Sequence, residues 1–239
     1  MANLVETTLI GEDFKNFITG LNTFVYEGVW RFNEYGLTCN VVDPANVALI
    51  IASLPANVFD AYLIEEDTKL GVDVRKLTEI SKLMGKNTNV DITTDGSQLK
   101  LRFDNITYTS TLLEPSTVRK DPKIPNLDFK AGLTVDPKKF GKAVKACGKV
   151  SEQLNLKTDE NGFFIMADGD ADSLSFKFDY SGKETARSHF TYEYLGAFKP
   201  FGDALLVKLG DDIPGSFKFV SDESDGLSIE YLIAPRIVE

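Results

Sequence analysis

Hydrophobic residues alternate with polar ones along much of the chain. Leu99, Leu101 and Phe103 do so, as do Leu154 and Leu156, then Leu174, Phe176, Phe178 and Tyr180, then Phe217 and Phe219, then Leu227, Ile229 and Tyr231. A period of two gives a strand one buried and one wet face, the pattern of antiparallel sheets. Asp95-Gly96, Asn161-Gly162 and Asp225-Gly226 punctuate these runs and accept the positive φ of tight hairpins.

Four segments switch to helical spacing. In Glu12–Phe24, residues Phe14, Phe17, Ile18 and Leu21 share one face. In Pro137–Val150, Phe140, Ala143, Val144 and Cys147 repeat that spacing at an offset of 126 residues. Asp136-Pro137 supplies a cap and a first-turn proline. Asp73–Met84 places Val74, Leu77, Ile80 and Met84 together, and a short helix over Tyr192–Lys199 stops at Pro200. The order helix, strand, turn, strand follows both of the first two segments. The chain therefore reads as an internal duplication with a period of about 120 residues. The expected division is 1–114 and 130–239, joined by 115–129. That connection and its flank, Glu114–Phe129, hold Pro115, Pro122 and Pro125, which stiffen it into an extended linker.

Two domains suit a length of 239 residues, and 43% apolar residues suffice for a core in each. No apolar run is long enough for a membrane span, and the start shows no basic segment followed by an apolar one, so neither a membrane protein nor a secretory leader is expected. Two distant cysteines, Cys39 and Cys147, fit a reduced intracellular protein. The single histidine, His189, leaves no basis for a zinc cluster, and no phosphate-cradling or nucleophile motif occurs. No cofactor or metal is expected.

Charge sharpens the picture. The chain carries −10 overall, yet Asp136–Val150 has five lysines against one aspartate, a net +4 that leaves −14 on the remainder. On a helical wheel Lys138, Lys142, Lys145 and Lys149 fall within about 60° of one another, opposite the apolar face. Arg75, Glu79, Lys82 and Lys86 hold the same register on their helix, whereas the first helix offers only Lys15 on the flank. Surface helices commonly carry solvated lysines. Four stacked lysines without interleaved acids, however, repel one another on a chain rich in acids. A basic strip without side chains aimed at base edges suits sequence-independent contact with phosphates.

Val42-Asp43-Pro44-Ala45-Asn46-Val47-Ala48-Leu49, Leu70-Gly71-Val72-Asp73-Val74, Lys123-Ile124-Pro125-Asn126-Leu127 and Tyr231-Leu232-Ile233-Ala234-Pro235-Arg236-Ile237 occur in order on this duplicated body. In these stretches the chain resembles the proliferating cell nuclear antigen family, the sliding clamps of archaeal and eukaryotic replication, over essentially its whole length. The resemblance implies an α+β fold of duplicated clamp domains, antiparallel sheets outside and two helices per domain lining a trimeric ring. Duplex DNA would thread the ring, touching Lys15, Arg75, Lys82, Lys86, Lys138, Lys142, Lys145 and Lys149. Polymerase, clamp loader and other clients would insert a short apolar and aromatic motif against Val42, Val47, Leu49, Ile124, Pro125, Leu127, Phe129, Pro214, Ala234, Pro235 and Ile237. With the resemblance set aside, these residues read rather as core beneath the linker. The family's subunit contact matches an edge strand bearing Ile106, Tyr108 and Ser110 and another bearing Leu174, Phe176 and Phe178. A sliding clamp is not an enzyme, and would work in the archaeal cytoplasm and nucleoid or the eukaryotic nucleus.

Two rivals stand beside this reading: a subunit of a hetero-oligomeric clamp for damage signalling or a single client, and a carboxylate-dependent hydrolase. Glu65-Glu66-Asp67 and Asp222-Glu223 read as solvated turns. So does Asp168-Gly169-Asp170-Ala171-Asp172, which lacks the later glycine and glutamate of a calcium loop. Trp30 is expected to pack, and His189 has no evident role.

Overall fold

The computed structural model describes residues 4–221 and 226–236. The Asp222-Glu223 pair, Asp225 of the expected third hairpin turn and the expected client contact Ile237 lie outside the described residues.

The chain runs β1 (Val5–Ile10), α1 (Gly11–Leu21), β2 (Glu27–Asn33), β3 (Gly36–Val42), β4 (Ala48–Pro55), a 3-10 turn at Ala56–Val58, β5 (Ala61–Ile64), β6 (Thr68–Asp73), α2 (Val74–Ser81), β7 (Asn89–Thr94), β8 (Gln98–Phe103) and β9 (Ile106–Thr111). Then come β10 (Ala131–Val135), α3 (Pro137–Cys147), β11 (Gln153–Asp159), β12 (Gly162–Asp168), β13 (Ser173–Phe178), β14 (Ala186–Thr191), α4 (Tyr192–Ala197), β15 (Ala204–Leu209), β16 (Gly215–Val220) and β17 (Ser228–Ile233). Among the described residues no helix is long and apolar enough to cross a membrane.

Two compact units result. The first holds residues 4–44, Ile50–Pro122 and the described part of Ser221–Ile229; the second holds Ala45–Leu49, Lys123–Val220 and residues 230–236. In the first unit the strand orders are β5-β1-β7-β8-β9 and β6-β2-β3-β4. In the second, β10-β15-β16-β17 repeats β1-β7-β8-β9, and β14-β11-β12-β13 repeats β6-β2-β3-β4. The duplication read from helix spacing thus extends to sheet topology, with β5 as an addition to the first copy.

The matched helix faces carry the cores. Phe14, Phe17, Ile18 and Leu21 are fully buried, and so are Ala143, Val144 and Cys147 beside nearly buried Phe140. In the first unit Trp30 meets Phe14 and Phe17 edge-on, with ring centroids 6.2 and 5.7 Å apart. In the second, Phe217 lies 5.8 Å from Phe140, 5.6 Å from Phe190 and 5.5 Å from Phe198. Each buried Phe, Ile, Leu or Val side chain contributes about 1.5–3 kcal/mol on leaving water, so these faces hold the helices against their sheets.

The helices end earlier than periodicity suggests. After Cys147, Lys149 N–H bonds to Ala146 O at 3.1 Å and Val150 N–H to Cys147 O at 2.9 Å. These three-residue closures tighten the last turn and satisfy terminal carbonyls. Asp73 and Asp136 cap α2 and α3 by accepting from the N–H of Lys76 at 3.2 Å and of Lys139 at 2.6 Å. Strand β13 also stops short of Tyr180. Phe178 pairs with Phe163 beside the β11–β12 hairpin, so Tyr180 falls beyond the last partner residue. Its hydroxyl donates instead to Glu184 Oε2 at 2.9 Å.

Candidate nucleic-acid and partner interfaces

α3 presents its cations on the face opposite its buried one. Lys138, Lys142, Lys145 and Lys149 are all exposed and line one open depression of about 490 Å³, with Gly141, Ala146 and Pro200 as its floor and wall. None of the four belongs to an ion pair among the described residues. Pro200, at the stop of α4, approaches closely because position 141 is glycine: a Cβ there would lie 3.2 Å from Pro200 Cγ. The wheel of α3 alone gives no sign of this proline.

The first unit differs. Lys82 Nζ lies 2.6 Å from Glu79 Oε1, and Lys86 Nζ lies 3.2 Å from Glu12 Oε1. The Arg75 guanidinium lies 4.8 Å from the centroid of the Tyr26 ring, with Asp73 at 3.9 Å. Lys15 is half-buried on α1 and joins no ion pair among the described residues. The four lysines of α3 therefore share one face, whereas most basic residues of the first unit are already engaged.

The linker is anchored at both ends. Leu113 N–H bonds to Gly71 O at 2.8 Å, and Val118 is 4% exposed. Arg119 Nη1 donates to Asp43 O at 2.8 Å, and Arg31 pairs with Asp121. At the far end Lys130 Nζ donates to Asp211 Oδ2 at 2.6 Å, while Asp211 Oδ1 accepts the Arg187 N–H at 2.9 Å. These two bonds hold the Asp211 carboxyl below its usual pKa. Between the anchors Ile124 is 52% exposed, Pro125 is exposed, and Leu127 and Phe129 are half-buried. The Lys208 ammonium lies 6.0 Å from the Phe129 ring centroid.

Other expected client residues are Val47 just before β4, Leu49 within it and only 8% exposed, Pro214 before β16, and Ala234-Pro235 after β17. Ala234 N–H bonds to Val47 O at 2.8 Å and Arg236 N–H to His189 O at 2.7 Å, fixing the course of that segment. Val42 belongs to the first unit and lines a cavity with Tyr26 and Arg75. His189 has Arg187 Nη2 3.3 Å from its Nε2. Burial first, then the Arg187 charge, lowers its pKa.

β9 and β13 are both edge strands. Ile106 is exposed, and Tyr108 and Ser110 are half-buried along β9, which carries no charge. On β13 Leu174 and Phe176 are half-buried, while Phe178 is 8% exposed and packs 5.4 Å from Phe163. Uncharged edge backbone is a template for pairing with another strand. No group of three or more His, Cys, Asp or Glu side chains converges among the described residues.

Residues 2–111 match the family model for the proliferating cell nuclear antigen N-terminal domain. The DNA polymerase sliding clamp of Archaeoglobus fulgidus is 35% identical, the alignment covering 98% of this chain and 99% of that one. Among solved structures, A. fulgidus proliferating cell nuclear antigen bound to the C-terminal region of FEN-1 is 33% identical, with a TM-score of 0.91 and coverage of 98% and 99%. The Entamoeba histolytica protein, only 14% identical, shares the fold at a TM-score of 0.89, with coverage of 99% and 100%. The chain belongs to the proliferating cell nuclear antigen family of DNA polymerase sliding clamps.

Proposed function

We propose that three copies of this chain close into a ring around duplex DNA and tether polymerase and other enzymes to it. The unpaired strip Lys138, Lys142, Lys145 and Lys149 carries this reading. Exposed ammonium groups without acid partners among the described residues attract phosphates without reading bases, so contact stays weak and position-independent, as sliding requires. The net charge of −10 discourages the rest of the surface from binding DNA. Topology then replaces affinity: the ring holds its clients at high local concentration without catalysing a reaction. Such a protein acts inside the cell, where the DNA and the clamp loader are.

Head-to-tail pairing of the uncharged β9 edge with β13 of the next copy supports ring closure, because two dissimilar edges generate a cyclic assembly. The exposed stretch around Ile124, Pro125 and Leu127, with Phe129, Val47, Leu49, Pro214 and Ala234-Pro235, is the proposed client pocket. The A. fulgidus relative carrying a FEN-1 C-terminal segment supports peptide binding of this kind.

The test measures DNA retention of the loaded protein against salt. Neutralising Lys142, Lys145 and Lys149 to Ala should flatten log K against log salt by up to about 3, at about 0.9 for each phosphate no longer neutralised. An unchanged slope in a folded variant refutes the role. Light scattering should give a trimer, and a monomer or mixed requirement would favour the hetero-oligomeric reading. Replacing Ile124 and Leu127 by Ala should abolish client stimulation and leave the trimer intact.

A further inference from the structure

The first unit contains a half-enclosed cavity of about 380 Å³ between the α1–β2 turn, the end of β3, the first turn of α2 and the start of the linker. Its deep wall is apolar: Val25 and Val41 are 6% exposed and Val118 is 4% exposed, with Val42 and Pro44 beside them. Its mouth is cationic. Arg75, Arg119 and Lys120 are exposed there beside the carboxylate of Glu27, and Asp73 lies 3.9 Å from Arg75. The Tyr26 ring, 59% exposed, supports the Arg75 guanidinium at 4.8 Å and holds that charge at the opening. Arg119 is held in turn by its bond to Asp43 O.

Pockets of this size, apolar within and polar at the rim, are the usual form of a binding site. We propose that this cavity binds an acidic peptide segment of a protein partner, one apolar side chain filling the valine-lined floor and flanking carboxylates meeting Arg75, Arg119 and Lys120. Three cations gather at one mouth on a chain of −10, so an acidic segment repelled elsewhere is drawn here. The volume accommodates a side chain or two and the floor offers no partner for base edges, which favours a peptide over nucleic acid. Binding here requires neither the ring nor the client pocket.

Valine-methyl NMR of the intact protein tests it. The probe is a blocked hexapeptide with a leucine–phenylalanine centre between paired glutamates. It should shift the methyls of Val25, Val41, Val42 and Val118 saturably. Lys120→Glu, an exposed change, should weaken binding about fivefold to tenfold by exchanging one attraction for repulsion. Substituting alanines at the peptide centre, or lysines for its glutamates, should abolish the shifts. The proposal fails if the lysine peptide binds equally, if no shift saturates, if Lys120→Glu has no effect, or if a hexathymidylate oligonucleotide gives the same shifts.

Discussion

The ammonium of Lys86 lies 3.2 Å from Oε1 of Glu12, bringing the connection between α2 and β7 against the first turn of α1. Lys82 is likewise engaged by Glu79 at 2.6 Å, while the α3 lysines have no such neighbours among the described residues. A lysine already beside a carboxylate gives up that attraction on meeting a phosphate. Neutralising Lys82 and Lys86 together should therefore lower the salt slope of DNA binding by about 1 or less, against up to about 3 for Lys142, Lys145 and Lys149. Equal reductions would show that the acid partners do not matter.

Gly71 lies under the start of the linker, and a Cβ there would overlap the Leu113 carbonyl oxygen. Backbone cannot swing aside as a side chain can. Gly71→Ala should cost about 1–3 kcal/mol, read by urea denaturation, and should increase hydrogen exchange at the Leu113 amide, which bonds to Gly71 O at 2.8 Å. An exchange rate equal to that of the parent would contradict this account of how the linker is anchored.

Asp95 makes one turn pH-sensitive. Its carboxylate accepts from Ser97 N–H at 2.9 Å, Ser97 Oγ at 2.8 Å and Gln98 N–H at 3.1 Å, bonds that hold its pKa at about 2. The native pKa lies below the ordinary value of 3.8, so the unfolded chain takes up the proton first. The stabilisation is thus complete above that ordinary value and fades as pH falls towards about 2. The stability difference between parent and Asp95→Asn should be constant near neutrality and close across that window. A difference independent of pH would sink the assignment.

Burial pushes the Cys39 thiol up to about 12, with the Arg31 charge opposing and the Asp121 charge adding to the shift. Cys147 is raised by the same cause. Thiolate is the reactive form, so neither cysteine should react with a disulfide reagent in the folded protein at about pH 8. Both should react once denaturant is added. Fast labelling of the native protein would disprove the packing described around them.

Local order was readable wherever neighbours along the chain carry the information. Phe14, Phe17, Ile18 and Leu21 announce α1 because helical geometry alone brings them together, and Phe140 through Cys147 repeat the message for α3. The α3 lysines announce a charged face for the same reason. Tyr180 misled because its alternation continues past the hairpin where its strand loses its partner. The approach of Pro200 to Gly141 has no local signal, because only the fold carries the chain after α4 to the side of α3.

By itself, then, the order of residues determined the helices, most strands, the duplication and the basic strip, since each depends on spacing over a few positions. Only the tertiary structure decided that Glu12 would meet Lys86, that Asp121 would meet Arg31, that Arg75 would lie over Tyr26, and that β9 and β13 would be left at sheet edges. Those relationships join residues distant in the chain. They are set by the path the backbone takes between them, which no local period records.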